Sequence, residues 1–378
     1  MKGLTGAKFC FRVVIYCLIS RSCMCVDSNT LNHLNASAGA QSALNANWKI
    51  AFDVTLVEQV PVFSVLMTVH NAAPYIDPHL RGLLEKTTGS WELVIAFDSC
   101  SDVSFPVALR TVTDYILSPV FDCFSTLIRV VMLESLIPAF ETSSDNAAMK
   151  MAHNGSTFFL LVQADIQVTE IGWNEWLTLP ILLYEDIFAV SARCAHQYFS
   201  AQAYTEICDH FPIELPFNRL DKLRGQLHIM DTVNRGPLAL RALVTRQLGY
   251  LDDRNFMLSD DDHNLMMRAL AQGWKSGRYF AGFLHNKTSV SIDYSSEKLK
   301  EVLTRRITIS QTDVKLYKQS LQDTYVNERL KSELRQNTHR WETRNVSVEM
   351  KKDMKENLTS KCGNCGTASR DCLSYLDS

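Results

Sequence analysis

Residues 62–102 constrain this chain more than any other stretch. The segment VFSVLMTVHNAAPYIDPHLRGLLEKTTGSWELVIAFDSCSD reads as strand, loop, helix and second strand, and it closes on two aspartates. Val62 to Val69 is an almost unbroken apolar, β-branched run, which suits a central parallel strand covered on both faces better than an alternating edge strand. Asp77 followed by Pro78 predicts an N-cap and a proline at the first helical position, with Leu80, Leu83 and Leu84 on one stripe and Gly89 as the stop. Trp91 to Phe97 is the next buried strand. Asp98 and Asp102 follow at its carboxyl end, where open α/β sheets bind ligands. A turn shared with Ser99 and Ser101 is the other use open to Asp98.

Two later segments also end apolar runs in carboxylates. In FFLLVQADI, Phe158 to Ile166, Asp165 closes a buried strand, a place poor for packing but suited to a divalent cation or a nucleotide. In the segment from Arg235 to Lys275, three aspartates stand in a row at Asp260, Asp261 and Asp262. A capping box between Ser259 and Asp262, followed by the stripe Leu265, Met266, Ala269 and Leu270, uses one or two of these acids, hardly three.

Together these residues resemble a family 2 glycosyltransferase, an inverting enzyme of the A-type nucleotide-sugar fold. VLMTVHNAAPYI resembles the family's opening strand and asparagine loop, and ELVIAFDSCSD its second strand and aspartate turn. QADI resembles the metal-binding aspartate motif, and DDHNLMMR the acidic pair that opens the catalytic helix. The resemblance implies an α/β fold with a mostly parallel sheet flanked by helices and a helical C-terminal extension. It implies that Asp98 contacts the base of the nucleotide, with His70 and Asn71 in the same pocket. Asp165 would bind Mn²⁺ or Mg²⁺ bridging the donor diphosphate, with His285 as an extra metal or diphosphate contact. Asp262 would be the general base, Asp261 its support, and Gly236 the small residue that lets backbone approach the donor sugar. The implied partners are a nucleotide-sugar donor, a UDP-sugar, and a glycan, protein or lipid acceptor.

The chemistry accounts for the carboxylates. A sugar diphosphate leaves when a cation meets its developing charge, and hard cations prefer oxygen ligands. An ionised aspartate makes an acceptor hydroxyl a useful nucleophile, a contribution of roughly 10²–10⁴-fold. Gln163 departs from the pattern, since it stands where the family has the first metal-site aspartate; it can hydrogen-bond a ribose or phosphate of the donor but carries no charge to offset the cation. It keeps open a non-catalytic homologue that binds carbohydrate or nucleotide sugar. A sugar nucleotidyltransferase needs a glycine-rich, basic loop after its first strand, and HNAAPYI has neither glycine nor a basic Lys or Arg.

A net charge of −3 argues against broad nucleic-acid binding. Residues 1–26 resemble a signal peptide or a short signal anchor: Lys2 and Lys8 precede the apolar Val13 to Ile19, and Arg12 and Arg21 interrupt it, so membrane anchorage would be weak. Sequons at Asn35, Asn154, Asn286, Asn345 and Asn357 favour the ER or Golgi lumen. Of eleven cysteines four lie in the leader, and Cys362, Cys365 and Cys372 suit a disulfide or free thiols better than zinc. Residues 27–60 read as a stem or linker, 61–294 as the catalytic domain, and 295–378 as a charged helical tail, solvated or packed on the catalytic domain or another subunit.

Overall fold

Buried strands of the kind expected at 62–69, 91–97 and 158–166 form the middle of one large sheet, but the last ends at Gln163, so Asp165 lies in the turn after the strand rather than closing it. The structure, a computed structural model, describes residues 47–118, 126–197, 205–208, 225–285, 297–326 and 342–346. The leader, most of the stem, the sequons at Asn35, Asn286 and Asn357 and the terminal cysteines lie outside the described residues. Among the described residues no helix is long and apolar enough to cross a membrane.

The amino-terminal half runs β1 (Trp48–Thr55), β2 (Phe63–Val69), α1 (Ala73–Lys86), β3 (Trp91–Asp98), α2 (Ser104–Leu117), β4 (Leu127–Ser135), α3 (Phe140–Met151), β5 (Phe158–Gln163) and β6 (Ile166–Val168). There follow α4 (Trp173–Leu183), β7 (Ile187–Ser191), β8 (Cys194–Gln197), β9 (Thr205–Cys208), β10 (Gln226–Met230), β11 (Thr232–Val233), β12 (Leu238–Arg241) and α5 (Ala242–Gln247). The last described elements are α6 (Asp261–Leu270), β13 (Lys275–Arg278), β14 (Phe283–His285), α7 (Glu297–Val326) and β15 (Glu342–Asn345).

The central sheet has ten strands in the order β1-β4-β3-β2-β5-β12-β7-β13-β10-β15. Strands β2 to β5 pair in parallel, whereas β1, β12 and β10 run against their neighbours. The α/β class with a mostly parallel, helix-flanked sheet is therefore present. The chain winds outward from β2 to β4 and then returns to place β5 on the other side of β2. This reversal makes a crevice at the carboxyl ends of β2 and β5, the usual ligand position in such sheets.

Alternation along each strand builds two cores. Val65, Met67, Leu93, Ile95, Val130 and Leu160 face α1 and α2, while Leu66, Val94, Val131 and Leu161 face α3 and α6. Full burial of one such side chain contributes about 1.5–3 kcal/mol, so the register that sends both sets inward is strongly specified. The stripe Leu265, Met266, Ala269 and Leu270 is buried as its spacing predicts.

Three expectations change. Residues 48–55, assigned to the linker, form the edge strand β1, with Trp48 and Val54 buried and Arg129 of β4 gripping Asp53 through two nitrogens (2.9 and 3.0 Å). Helix α1 begins at Ala73 rather than after Asp77. Asp77 lies inside the helix and accepts hydrogen bonds from Thr111 Oγ1 (2.5 Å) and Arg81 Nε (3.1 Å). The charged tail contributes the expected helix, α7, but also a strand, β15, that extends the sheet beyond β10.

Candidate active site

Two loops at the carboxyl end of the sheet are laced together by short side chains. Asn71, after β2, accepts the backbone N–H of Ser101 (2.8 Å) and of Asp102 (3.3 Å) on its Oδ1. Asp102 accepts the Ala73 N–H (3.0 Å) and the Ser104 N–H (2.9 Å), and so caps both α1 and α2. His70 Nδ1 donates to the Asp98 carbonyl (2.7 Å). His70, Asn71 and Asp98, the residues expected to share a base pocket, are thus brought together.

Asp98 has a further task. Its two carboxylate oxygens accept the backbone N–H groups of Ala139 (2.7 Å) and Phe140 (2.9 Å) at the start of α3. Phe140 has φ of 62°, a conformation that costs a non-glycine residue on the order of 1–3 kcal/mol unless its surroundings impose it. Hydrogen bonds to a charged acceptor, each worth roughly 1.5–3 kcal/mol, supply that constraint. Asp98 thereby aims the first turns of α3, which carry Glu141 and Asp145, at the crevice.

A cleft of about 180 Å³ opens there, lined by Glu141, Gln163, Arg193, Asn234, Arg235, Leu258, Ser259, Asp260, Asp262 and His263. Gln163 closes β5 and bridges two walls: its amide nitrogen donates to Glu141 (2.5 Å) and its oxygen accepts from Arg193 (3.3 Å). A neutral amide can donate to an acid and accept from a base at once, which a carboxylate cannot, and that is a physical reason for glutamine here. Gly236 has φ of +77°, and a Cβ there would meet Gln163 Oε1 at 2.6 Å, so the glycine keeps this bridge in place.

The acidic run forms the opposite wall, but the expected capping box is absent. Asp260 precedes α6 with φ of 58°, and the hydroxyl of Ser259 points to the Ser310 carbonyl of α7 (3.3 Å) rather than to α6. Asp262 lines the cleft, accepting the Arg235 N–H (3.0 Å) and the His263 N–H (2.8 Å). Asp261 turns inward, fully buried, onto the Arg235 guanidinium. Arg235 also binds Asp145 of α3 (2.5 Å) and lies 3.7 Å from Glu141. One buried cation thus serves four carboxylates.

That imbalance sorts the acids. Burial opposes ionisation of Asp262, but His263, Arg235 and two backbone amides together hold its carboxyl below the ordinary value. The amides and Arg235 act whatever the protonation of His263. Burial pushes Asp145 up to about 7 and Asp261 up to about 6; Arg235 opposes both shifts, and neighbouring acids add to them. Asp260 is pushed up to about 6 by burial and by Asp262. Asp262 is therefore the one of these aspartates whose carboxyl is held below its ordinary value.

A stability prediction follows. Raised carboxyl groups bind protons in the folded chain that the unfolded chain has released, so their stabilising contribution is complete below the ordinary value of 3.8 and is lost as pH rises through about 7 for Asp145. The melting temperature should fall between about pH 4 and 7, and Asp145→Asn should flatten that fall, because an amide still accepts from Arg235 but does not titrate. An unchanged slope in the variant would assign the titration elsewhere.

The tail helix completes the wall. One carboxylate oxygen of Asp313 on α7 accepts the N–H groups of Met257 (3.0 Å), Leu258 (2.7 Å) and Ser259 (3.1 Å), the loop that leads into the acidic run. Tyr317 is buried 5.7 Å from the His263 ring, which stands 4.8 Å from that of His196.

The metal expectation finds a small donor set. His285 of β14 pairs with Ile166 of β6, the residue after Asp165, so the two expected ligand positions are brought together in the backbone. Asp165 stands outside the lining of the cleft, and among the described residues no three His, Cys, Asp or Glu side chains gather as a metal site. A cation at Asp165 and His285 would therefore take most of its shell from phosphate oxygens and water.

Arg235, Arg193, Glu141, Asp145 and Asp313 are site residues that sequence patterns do not single out. Glu141 and Asp145 did leave a trace: like charges one helical turn apart are unfavourable unless a cation faces them.

Comparison with known protein families and with curated proteins finds no match. Among solved structures, the chain is similar to a mannosyltransferase from Pyrobaculum calidifontis in complex with GDP-Man and Mn²⁺, at 13% identity and a TM-score of 0.40, over 71% of this chain and 65% of that one. It is similar to GalNAc-T7 with UDP, GalNAc and Mn²⁺, at 11% identity and a TM-score of 0.44, over 68% of this chain and 52% of that one. A third similarity, to S. aureus TarS 1–349 in complex with UDP-GlcNAc, has 12% identity and a TM-score of 0.40 and covers 82% of this chain and 83% of that one. The chain thus spans less than two thirds of the first two. Every TM-score here is below 0.5, so the functional reading rests on this chain's own residues.

Proposed function

We propose that this chain is an inverting glycosyltransferase, similar to family 2, that moves a hexosyl or N-acetylhexosaminyl group from a UDP-sugar to a hydroxyl acceptor on a glycan, protein or lipid. The observation that carries the reading is Asp262: an ionised carboxylate lining the same cleft as Gln163, at the crevice where the sheet reverses. Environments that push neighbouring carboxyl groups apart mark which one is the base.

In the proposed reaction Asp262 takes the proton of the acceptor hydroxyl as the hydroxyl oxygen bonds to the anomeric carbon. The bond from that carbon to the donor diphosphate breaks, the diphosphate leaves with the electron pair, and displacement from the opposite face inverts the centre. Asp261 fixes Asp262 by accepting its backbone N–H (2.9 Å). His70 and Asn71 border the base side of the crevice, and Asp98 acts there through α3. A divalent cation, Mn²⁺ or Mg²⁺, would be held by Asp165 and His285 and would offset the charge on the departing diphosphate.

Cys194 is disulfide-bonded, and its antiparallel neighbour across β8 and β9 is Cys208. With exposed sequons at Asn154 and Asn345, this supports a secretory-lumen location. The neutral Gln163 favours a second reading, a homologue that binds sugar nucleotide without transferring it.

The test is a panel of nucleotide sugars presented with Mn²⁺ and with EDTA. One uridine donor should bind more tightly with Mn²⁺ and be slowly hydrolysed, and Asp165→Asn should remove the metal difference. Binding without turnover supports the second reading; failure to bind any donor overturns both.

A further inference from the structure

We infer that Arg193 is the residue that receives the diphosphate of the donor, which rests on reading the cleft as a nucleotide-sugar site. Three acids, Glu141, Asp260 and Asp262, line the cleft, and each would repel a diphosphate. The cleft's two cations differ in what they are free to do. Arg235 is buried and spends its guanidinium on Asp145 and Asp261. Arg193 is half-buried, and its side chain's one hydrogen bond among the described residues goes to the neutral Gln163. No carboxylate pairs with it among the described residues.

A guanidinium has five N–H donors in a planar fork that matches two phosphate oxygens, so a single bond to an amide leaves most of it for an anion. The backbone holds Arg193 in readiness. Its N–H donates to Ser191 Oγ (3.0 Å), and the preceding Ala192 N–H donates to the Pro237 carbonyl (3.1 Å), next to Gly236. The turn from β7 to β8 is thereby fixed against the glycine that lies on Gln163. Gln163 supplies no charge, and Arg193 places a cation beside that position.

The experiment is calorimetric titration of inorganic diphosphate and of UDP into the full-length protein, in EDTA and in Mn²⁺, with Arg193→Ala and Arg193→Gln as variants. Each variant should melt with the wild type and lose about tenfold or more in affinity for both probes, with the loss persisting in EDTA. Arg193→Gln guards against a folding defect of the alanine variant, since glutamine keeps much of the side chain's packing. If diphosphate weakens in the variants but UDP binds no better than diphosphate, the anion site stands and the nucleotide-sugar reading fails. If the wild type binds UDP and both variants match it, Arg193 is not the contact, while the nucleotide-sugar reading stands. If the wild type binds neither probe under either condition, both are overturned.

Discussion

Asp262→Asn should fold, melt close to the wild type, bind the donor and lose roughly 10²-fold or more in transfer rate, since an amide cannot take the acceptor proton. The structure separates this outcome from a helix-capping effect. Asp262 accepts two backbone N–H groups, and an asparagine oxygen still accepts, so about 1 kcal/mol or less of stability is at stake. Asp261→Asn tests the register. Its side chain is buried on Arg235 and does not line the cleft, so its loss should reach transfer through the position of Asp262. Single-turnover rates alongside thermal melts decide the matter. Near wild-type transfer by Asp262→Asn would end its assignment as the base.

Arg235→Met should be the most destabilising single change at the site, on the order of 3–5 kcal/mol at neutral pH, because it strands buried carboxylates without their cation. Replacing a whole buried ion network by apolar residues is often harmless; removing one member is not. Arg235→Lys should recover part of the loss, since an ammonium keeps the charge but cannot fork between Asp145 and Asp261. The sign with pH is definite. Without the guanidinium the carboxyl groups of Asp145 and Asp261 rise further, so the deficit should shrink toward about pH 5, where they take up protons. Equal denaturation midpoints for Arg235→Met and wild type across that range would contradict the network as described.

The strands around the crevice were legible because they are buried on both faces: Val65, Leu93 and Leu160 could not be mistaken for loop. Edge strand β1 was not, since it follows a run rich in Asn, Ala and Ser, although Trp48, Ile50, Phe52 and Val54 alternate. The expected helix caps failed for one physical reason. At α1 the caps come from Asp102 and Ser104, some thirty residues later, and at α6 the residue that should have capped, Ser259, is held by α7. Local pattern sees only local partners. The carboxylates were visible as residue types, but the arginines that govern them were not. Arg235 drew notice only as the neighbour of Gly236, and Arg193 lies in an unremarked turn.

The Asp313 clamp has a consequence for the order in which the protein is made. Ser259 and its acceptor lie 54 positions apart, with the whole acidic run on the earlier side. At roughly 5–20 residues per second, the ribosome delivers Asp313 some seconds after Asp262, and for that time the acidic loop exists without the carboxylate that gathers its amides. A nascent chain can therefore hold every motif that identifies the site while one wall is still unbuilt, and the site becomes complete only once Asp313 has followed.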